Sequence, residues 1–263
     1  MKQYFVFNGH SSADFDLYIN GGETYNFPER DVELLEIPGR SGALTVDNGR
    51  YKNVTLPYKV GLFGHTTFDR IDAIREWLLT AIGYMRLEDS YHPNEYRMAR
   101  YSGKAEWDVD MFSKCGEATL EFDCWPQRFL KIGEEEIAVT NGMYLHNLTN
   151  CPALPLVRLN LTGSAKLEIA GVQMSISGYT GPIFIDCNLQ DAYYNNTNLN
   201  KYLTAPEFPA LSSGKSQISW TGDITSCHIT PRWWTLLFIQ NELLRGDKNE
   251  LSEILRWHNW SVW

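Results

Sequence analysis

The sequence predicts a mainly β protein with an N-terminal β-rich domain crossed by one helix, followed by a C-terminal β-sandwich. Three observations carry this. Short apolar runs recur between clusters of Gly, Pro and Asn along most of the chain, the pattern of strands joined by turns. One window, from Thr67 to Ile82, instead carries its apolar residues at helical spacing. Beyond about residue 130 the chain becomes poorer in charge and richer in Asn, Thr, Ser and Gly, which separates two domains of different character. At 263 residues either can bury a core without metal or disulfide staples.

Residues 4–7 and 15–19 read as short strands parted by Asn8-Gly9 and Ser11-Ser12, and 32–37 as another that ends at Pro38-Gly39. The stretch 51–62 follows, with Tyr51, Val54, Leu56, Tyr58 and Val60 in near alternation. Thr66 or Thr67 then caps a helix carrying Phe68, Ile71, Ile74, Trp77, Leu78 and Ile82, and Gly83 stands where a helix stops. Ile71, Ile74 and Leu78 share one face, which core packing explains without a cofactor. Strands resume at 84–88, 96–101, 105–112 and 117–124; in the last, Ala118, Leu120, Phe122 and Cys124 share a face.

From 126 to 152 the chain passes Pro126, Gly133, Glu134-Glu135-Glu136, Asn141-Gly142 and Cys151-Pro152, a run of turn signals suited to a boundary. The domains are accordingly set at 1–130 and 131–234. The second reads as short strands at 156–161, 165–170, 172–177, 182–187, 216–220 and 224–229, with Ala170-Gly171 as a hairpin and Gly214-Lys215 as a turn. The remainder, 235–263, is expected to form a docked tail with a helix over Asn249–Trp257, because Leu251, Ile254 and Leu255 make an apolar stripe.

Composition excludes several functions. A net charge of −9 without clustered Lys and Arg argues against nucleic-acid binding. No apolar run reaches membrane-spanning length, and Met1–Phe7 meets Asn8-Gly9-His10 before a leader-like hydrophobic region develops, so neither a membrane segment nor a secretory leader is expected. Cys115, Cys124, Cys151, Cys187 and Cys227 form no C-x-x-C pair and read as reduced thiols, with no metal site expected. The six histidines are scattered singly, Gly39-Arg40-Ser41-Gly42 lacks the G-x-S-x-G pattern, and no nucleotide-binding glycine motif occurs. The close acid groupings Asp14/Asp16, Asp108/Asp110 and Glu134–Glu136 suit solvated strands and loops. The expectation is a protein that is not an enzyme and holds no cofactor. Tyr179, Tyr193, Tyr194, Tyr202, Trp220, Trp233 and Trp234 leave a second reading open, a carbohydrate-binding β-sandwich module in which exposed rings stack on sugars.

Whole phrases add to this. Phe7-Asn8-Gly9-His10-Ser11-Ser12-Ala13-Asp14-Phe15, then Ile37-Pro38-Gly39-Arg40-Ser41-Gly42, Trp77-Leu78-Leu79 with Gly83-Tyr84, Leu87-Glu88-Asp89-Ser90-Tyr91 and Glu95-Tyr96-Arg97 occur in order. Phe122-Asp123-Cys124-Trp125-Pro126-Gln127-Arg128-Phe129, Phe208-Pro209-Ala210-Leu211 and Pro231-Arg232-Trp233-Trp234 follow. Their collinearity over about residues 5–234 resembles the distal tail proteins of long-tailed, non-contractile bacteriophages. The resemblance implies a structural hub in the virion at the tail tip, assembled in the host cytoplasm. It implies a ring, usually of six copies, closed by first domains, with galectin- or carbohydrate-module-like second domains projecting outward. The implied partners are the tail tube protein, a tail-associated tip or fibre protein and often receptor-binding proteins. For the contact that closes such a ring, the turn Ile37, Pro38, Gly39, Arg40, Ser41 and Gly42 is the candidate. Its glycines allow close backbone approach, and Arg40 can fork onto a neighbour's carboxylate or carbonyls.

Overall fold

The computed structural model describes residues 2–22, 26–63, 67–103, 106–110 and 115–236. The helix expected over 249–257, and nearly all of the tail that holds it, lie outside these residues. By packing, the chain divides between Arg128 and Phe129 into two compact units.

The first unit contains β1 (Phe5–Phe7), β2 (His10–Ser11), β3 (Leu17–Ile19), β4 (Arg30–Leu35), β5 (Leu44–Tyr51), β6 (Val54–Phe63), α1 (Thr67–Thr80), β7 (Met85–Asp89), β8 (Glu95–Tyr101), β9 (Trp107–Asp110) and β10 (Cys115–Cys124). Its main antiparallel sheet runs β2-β1-β7-β8-β10-β6-β3, with β9 also paired to β10. A bridge between Gln3 and Ile19 joins the start of β1 to β3, so the sheet curls until its two ends meet. Alternation explains the inner face. Gly116, Ala118, Leu120, Phe122 and Cys124 are buried along β10, opposite Leu62, Val60, Tyr58, Leu56 and Val54 of β6.

Helix α1 lays Ile74, Trp77 and Leu78 against this face. The Trp77 ring stacks on Phe5 and Phe15 at centroid distances of 5.6 and 5.0 Å, and its Nε1–H donates to the Phe7 carbonyl at 3.1 Å. Ile82, expected on the helical stripe, lies past the last turn and is 89% exposed. The strand expected over 15–19 begins only at Leu17. Ser12–Phe15 form a short 3-10 turn capped by the Ser11 hydroxyl, which accepts the Ala13 N–H.

From the junction onward lie β11 (Arg128–Leu130), β12 (Ile137–Val139), β13 (Tyr144–Asn147), β14 (Leu156–Ile169), β15 (Val172–Asp186), β16 (Asp191–Tyr194), β17 (Thr197–Asn198), β18 (Leu203–Thr204), β19 (Gly214–Thr230) and β20 (Trp234–Thr235). The order is β12-β19-β14-β15-β16-β17, all antiparallel, with β13 on β19 and β18 on β15. The six short strands expected here are halves of three long ones, β14, β15 and β19. Register shifts near Leu161 and Ala165 mark where β14 bends against its neighbours. At one such bend Gly222 has φ +91°, and a Cβ there would lie 2.4 Å from the Ser164 carbonyl oxygen, so only glycine lets the two strands approach. The expected sandwich thus takes the form of one bent sheet whose halves share a core of Val157, Leu159, Leu167, Ile169, Ile183 and Ile229.

One buried ion pair ties this unit together. The Asp186 carboxylate, 2% exposed, accepts from Arg232 Nη1 and Nη2 at 2.7 and 2.8 Å and from the Asn188 and Leu189 N–H groups. Burial pushes the carboxyl up, but the Arg232 guanidinium and those N–H donors outweigh it and hold it below its ordinary value. A depressed carboxyl contributes stability that is whole above its unfolded value near ~3.9 and is lost as pH falls through the folded one. Asp186→Asn is expected to lower the stability of this unit by about 2 kcal/mol at pH 7. Urea midpoints of wild type and variant should converge below about pH 4. A gap that stays constant into acid would contradict this.

Candidate oligomer interface

Strands β4 and β5 form a two-stranded sheet separate from the curled one, and no third strand pairs with either among the described residues. An isolated hairpin is marginal in water and leaves unpaired backbone groups on its edges. Polar clamps hold its base. Asp47 accepts from Arg30 Nε and Nη2 at 2.9 and 2.7 Å, Arg30 Nη1 donates to the Tyr51 hydroxyl, and Arg50 pairs with Asp31 at 2.7 Å. The Arg30 guanidinium holds the Asp47 carboxyl below its ordinary value, as Arg50 does that of Asp31.

Above the clamp Val32, Leu34, Leu35, Leu44 and Val46 are exposed, interspersed with Glu33 and Thr45. Leu35 faces Leu44 across the pair, with Val46 opposite Glu33 on the same side, whereas Val32 and Leu34 occupy the other face. Leu34 is 65% exposed, and Leu35, Ile37 and Leu44 are each more than two-fifths exposed. Among the described residues, none of them belongs to either hydrophobic core. Exposed apolar side chains gathered on one hairpin make it a candidate surface for a partner.

The six candidate residues sit together at the tip, in the loop between β4 and β5. The Arg40 N–H donates to the Ile37 carbonyl at 3.1 Å, with Pro38 and Gly39 at the centre of the turn and Gly39 at φ +83°. That is a type II turn, in which proline presets the first central residue and glycine supplies the positive φ of the second. Space around Gly39 and Gly42 is open, so their backbone conformation, not crowding within the chain, accounts for them. The Arg40 side chain makes no hydrogen bond or ion pair among the described residues and stands at the end of the arm.

Other candidate chemistry is dispersed. Glu136 pairs with Arg158 and Asp16 with Arg70, and no group of three or more His, Cys, Asp or Glu side chains gathers to hold a metal among the described residues. Cys124, Cys151, Cys187 and Cys227 are buried free thiols, and burial pushes those of Cys124, Cys187 and Cys227 up to about 12, far from a nucleophile's range. No helix among the described residues is long and apolar enough to cross a membrane. Of the rings considered for sugar stacking, Trp233 is in the core, and Tyr179, Tyr194, Tyr202, Trp220 and Trp234 pack against it. Tyr193 and Tyr194 stack with Phe184.

What sequence reasoning missed is the arm that carries the turn. Strand β5 contains Asp47-Asn48-Gly49, which reads as a turn, yet Asp47 continues the ladder opposite Val32. The signal that could have found it was the apolar alternation of Leu44 and Val46 ahead of that triplet.

No family model and no curated protein matches the chain in sequence. Solved structures do match. The P2 phage baseplate in its activated conformation with calcium contains a chain aligned at TM-score 0.48 and 8% identity, over 87% of this chain and 97% of that one. The crystal structure of SPP1 Dit (gp 19.1), described as a paradigm of the hub adsorption apparatus in phages that infect Gram-positive hosts, aligns at TM-score 0.69 and 15% identity, over 87% of this chain and 98% of that chain. Across both of its units, therefore, the chain has the fold of the SPP1 Dit protein.

Proposed function

We propose that this protein is a structural, non-enzymatic hub at the distal end of a phage tail. The unit that ends at Arg128 closes a homo-oligomeric ring, most simply of six copies, through the β4–β5 arm. The ring joins the tail tube protein to the tip or fibre protein and to receptor-binding proteins, which the second unit faces. The observation that carries this reading is the fold shared with SPP1 Dit over nearly the whole of both chains. The exposed apolar arm adds to it, because a rotationally closed ring needs one surface of each subunit to meet a different surface of the next. Electron microscopy of tail particles with an antibody to this chain tests it, together with native mass spectrometry of the tip complex. Label confined to the tail tip, with several identical copies per particle, is the expected result. Absence from the tip, or a single copy there, defeats the reading.

A further inference from the structure

The first unit holds a cavity of about 300 Å³, none of whose described lining residues belongs to the β4–β5 arm. Tyr58, Lys59, Asp89, Tyr91, Arg97 and Arg128 line it. Arg97 is 8% exposed, and its Nη1, closed off from solvent, has no hydrogen-bond acceptor among the described residues. A guanidinium keeps its charge throughout the pH range of folded proteins, so this group is buried with its charge and with an unmet donor.

The carboxylates around it are already engaged. Glu95 accepts from Arg128 Nε at 2.6 Å. Asp89 accepts from the Tyr58 hydroxyl at 2.7 Å and from the His92 backbone N–H at 2.8 Å, with the His92 ring at 3.3 Å. Arg97 is in ion-pairing contact with neither, and burial and the nearby Arg128 both act against its charged form. Among the described residues, Lys59, Arg97 and Arg128 against Asp89 and, in the adjoining cleft, Glu95 leave one positive charge in excess around the cavity.

An uncompensated buried cation at a cavity wall is costly unless something from outside completes it. We propose that the cavity binds one carboxylate, seated on the Arg97 guanidinium, with its short carbon chain against Ile19, Leu56 and Pro57. Two oxygens suit the planar fork of an arginine, and Ile19, Leu56 and Pro57 offer the carbon chain of a carboxylate a short apolar strip that phosphate or sulfate would not use. Tyr91 helps frame the entrance, because its hydroxyl donates to the Gly21 carbonyl at 2.6 Å. The carboxyl group comes either from a free short-chain acid or from an Asp, Glu or terminal carboxylate of another polypeptide.

Butyrate and acetate serve as probes with the full chain, in saturation-transfer NMR and in thermal melts at constant ionic strength, with chloride and sulfate as controls. A saturable butyrate signal that acetate displaces is expected, with a melting shift beyond that given by either control. In Arg97→Met, which keeps the apolar stem, binding should weaken by about tenfold or more, the loss of one charge-assisted hydrogen bond. If that variant fails to fold, displacement of butyrate by acetate on the wild type still decides. A wild type with no saturable signal, or an Arg97→Met that binds equally well, overturns the proposal. Light scattering separates the sources. Butyrate that binds and dissolves an oligomer has displaced a polypeptide carboxylate, whereas butyrate that binds and leaves the mass unchanged occupies a site for a free acid.

Discussion

Replacing Trp77 by alanine is expected to lower the stability of the N-terminal unit by about 3–5 kcal/mol, the cost of deleting a large aromatic ring from a packed core. Trp77 sits between the helix and the curled sheet. Its ring lies nearly parallel to both Phe5 and Phe15, at interplanar angles of 12° and 10°, and tilted against Phe7 at 6.4 Å. Such pairs are worth about 0.5–1.5 kcal/mol each beyond the area they bury. The substitution also removes the donor to the Phe7 carbonyl, a backbone group inside the core. Trp77→Phe keeps much of the ring volume and should recover more than half of the loss. Denaturation followed by circular dichroism should therefore show two transitions in Trp77→Ala, with only the first moved down, because the second unit has its own core. A loss below about 1 kcal/mol would mean that α1 does not depend on this ring for its seat.

The same residue illustrates how much was legible in the sequence. Trp77 belongs to the helical pattern in which Ile71, Ile74 and Leu78 share one face; Ile74, Trp77 and Leu78 are buried, and Ile71 packs partly buried against the same core. The face of Ala118, Leu120, Phe122 and Cys124 is likewise buried, because a strand has one periodicity and a half-buried one displays it. Periodicity fails where the chain bends. Gly163 and Gly222 interrupt the apolar alternation of β14 and β19, so each long strand reads as two short ones, although the hydrogen-bonded ladder runs on with register shifts. It fails again at 126–152, where Ile137–Val139 and Tyr144–Asn147 pair with β19 far along the chain and their local sequence is dominated by turn residues. The arm was half legible. The Ile37–Gly42 turn was visible in its Pro-Gly pair, but nothing local said that the flanking strands stand apart from the main sheet. Only the pairing pattern reveals that. The Arg97 cavity left no signal, because a single arginine in a strand of alternating burial reads as an ordinary surface cation.

Substituting Leu35 and Leu44 together by serine is expected to dissolve the proposed ring while leaving the fold intact. The two side chains lie directly opposite each other on one face of the arm and are 47% and 44% exposed in the isolated chain. Little stability within the subunit depends on them, so the change in its own unfolding should stay within about 0.5 kcal/mol. Covering the open half of each leucine is worth about 1 kcal/mol, so in the proposed ring the pair would contribute about 2 kcal/mol to each contact, or about 30-fold in its dissociation constant. A closed ring repeats the defect at each junction, and the loss therefore multiplies around it. Arg40→Glu tests the tip of the same arm by a different physical route. Arg40 has no partner among the described residues, so reversing its charge should cost the subunit little, and it removes the donors that a neighbour's carboxylate or carbonyl would accept. Both variants should keep the wild-type circular dichroism spectrum and shift towards monomer in light scattering. Where the isolated wild type is itself monomeric at low concentration, the readout is incorporation into tail particles, which should fall for both. If the Leu35/Leu44 variant assembles as the wild type does, the arm is not the ring contact. If only Arg40→Glu assembles normally, the contact is carried by the apolar face and the Ile37–Gly42 turn stands outside it.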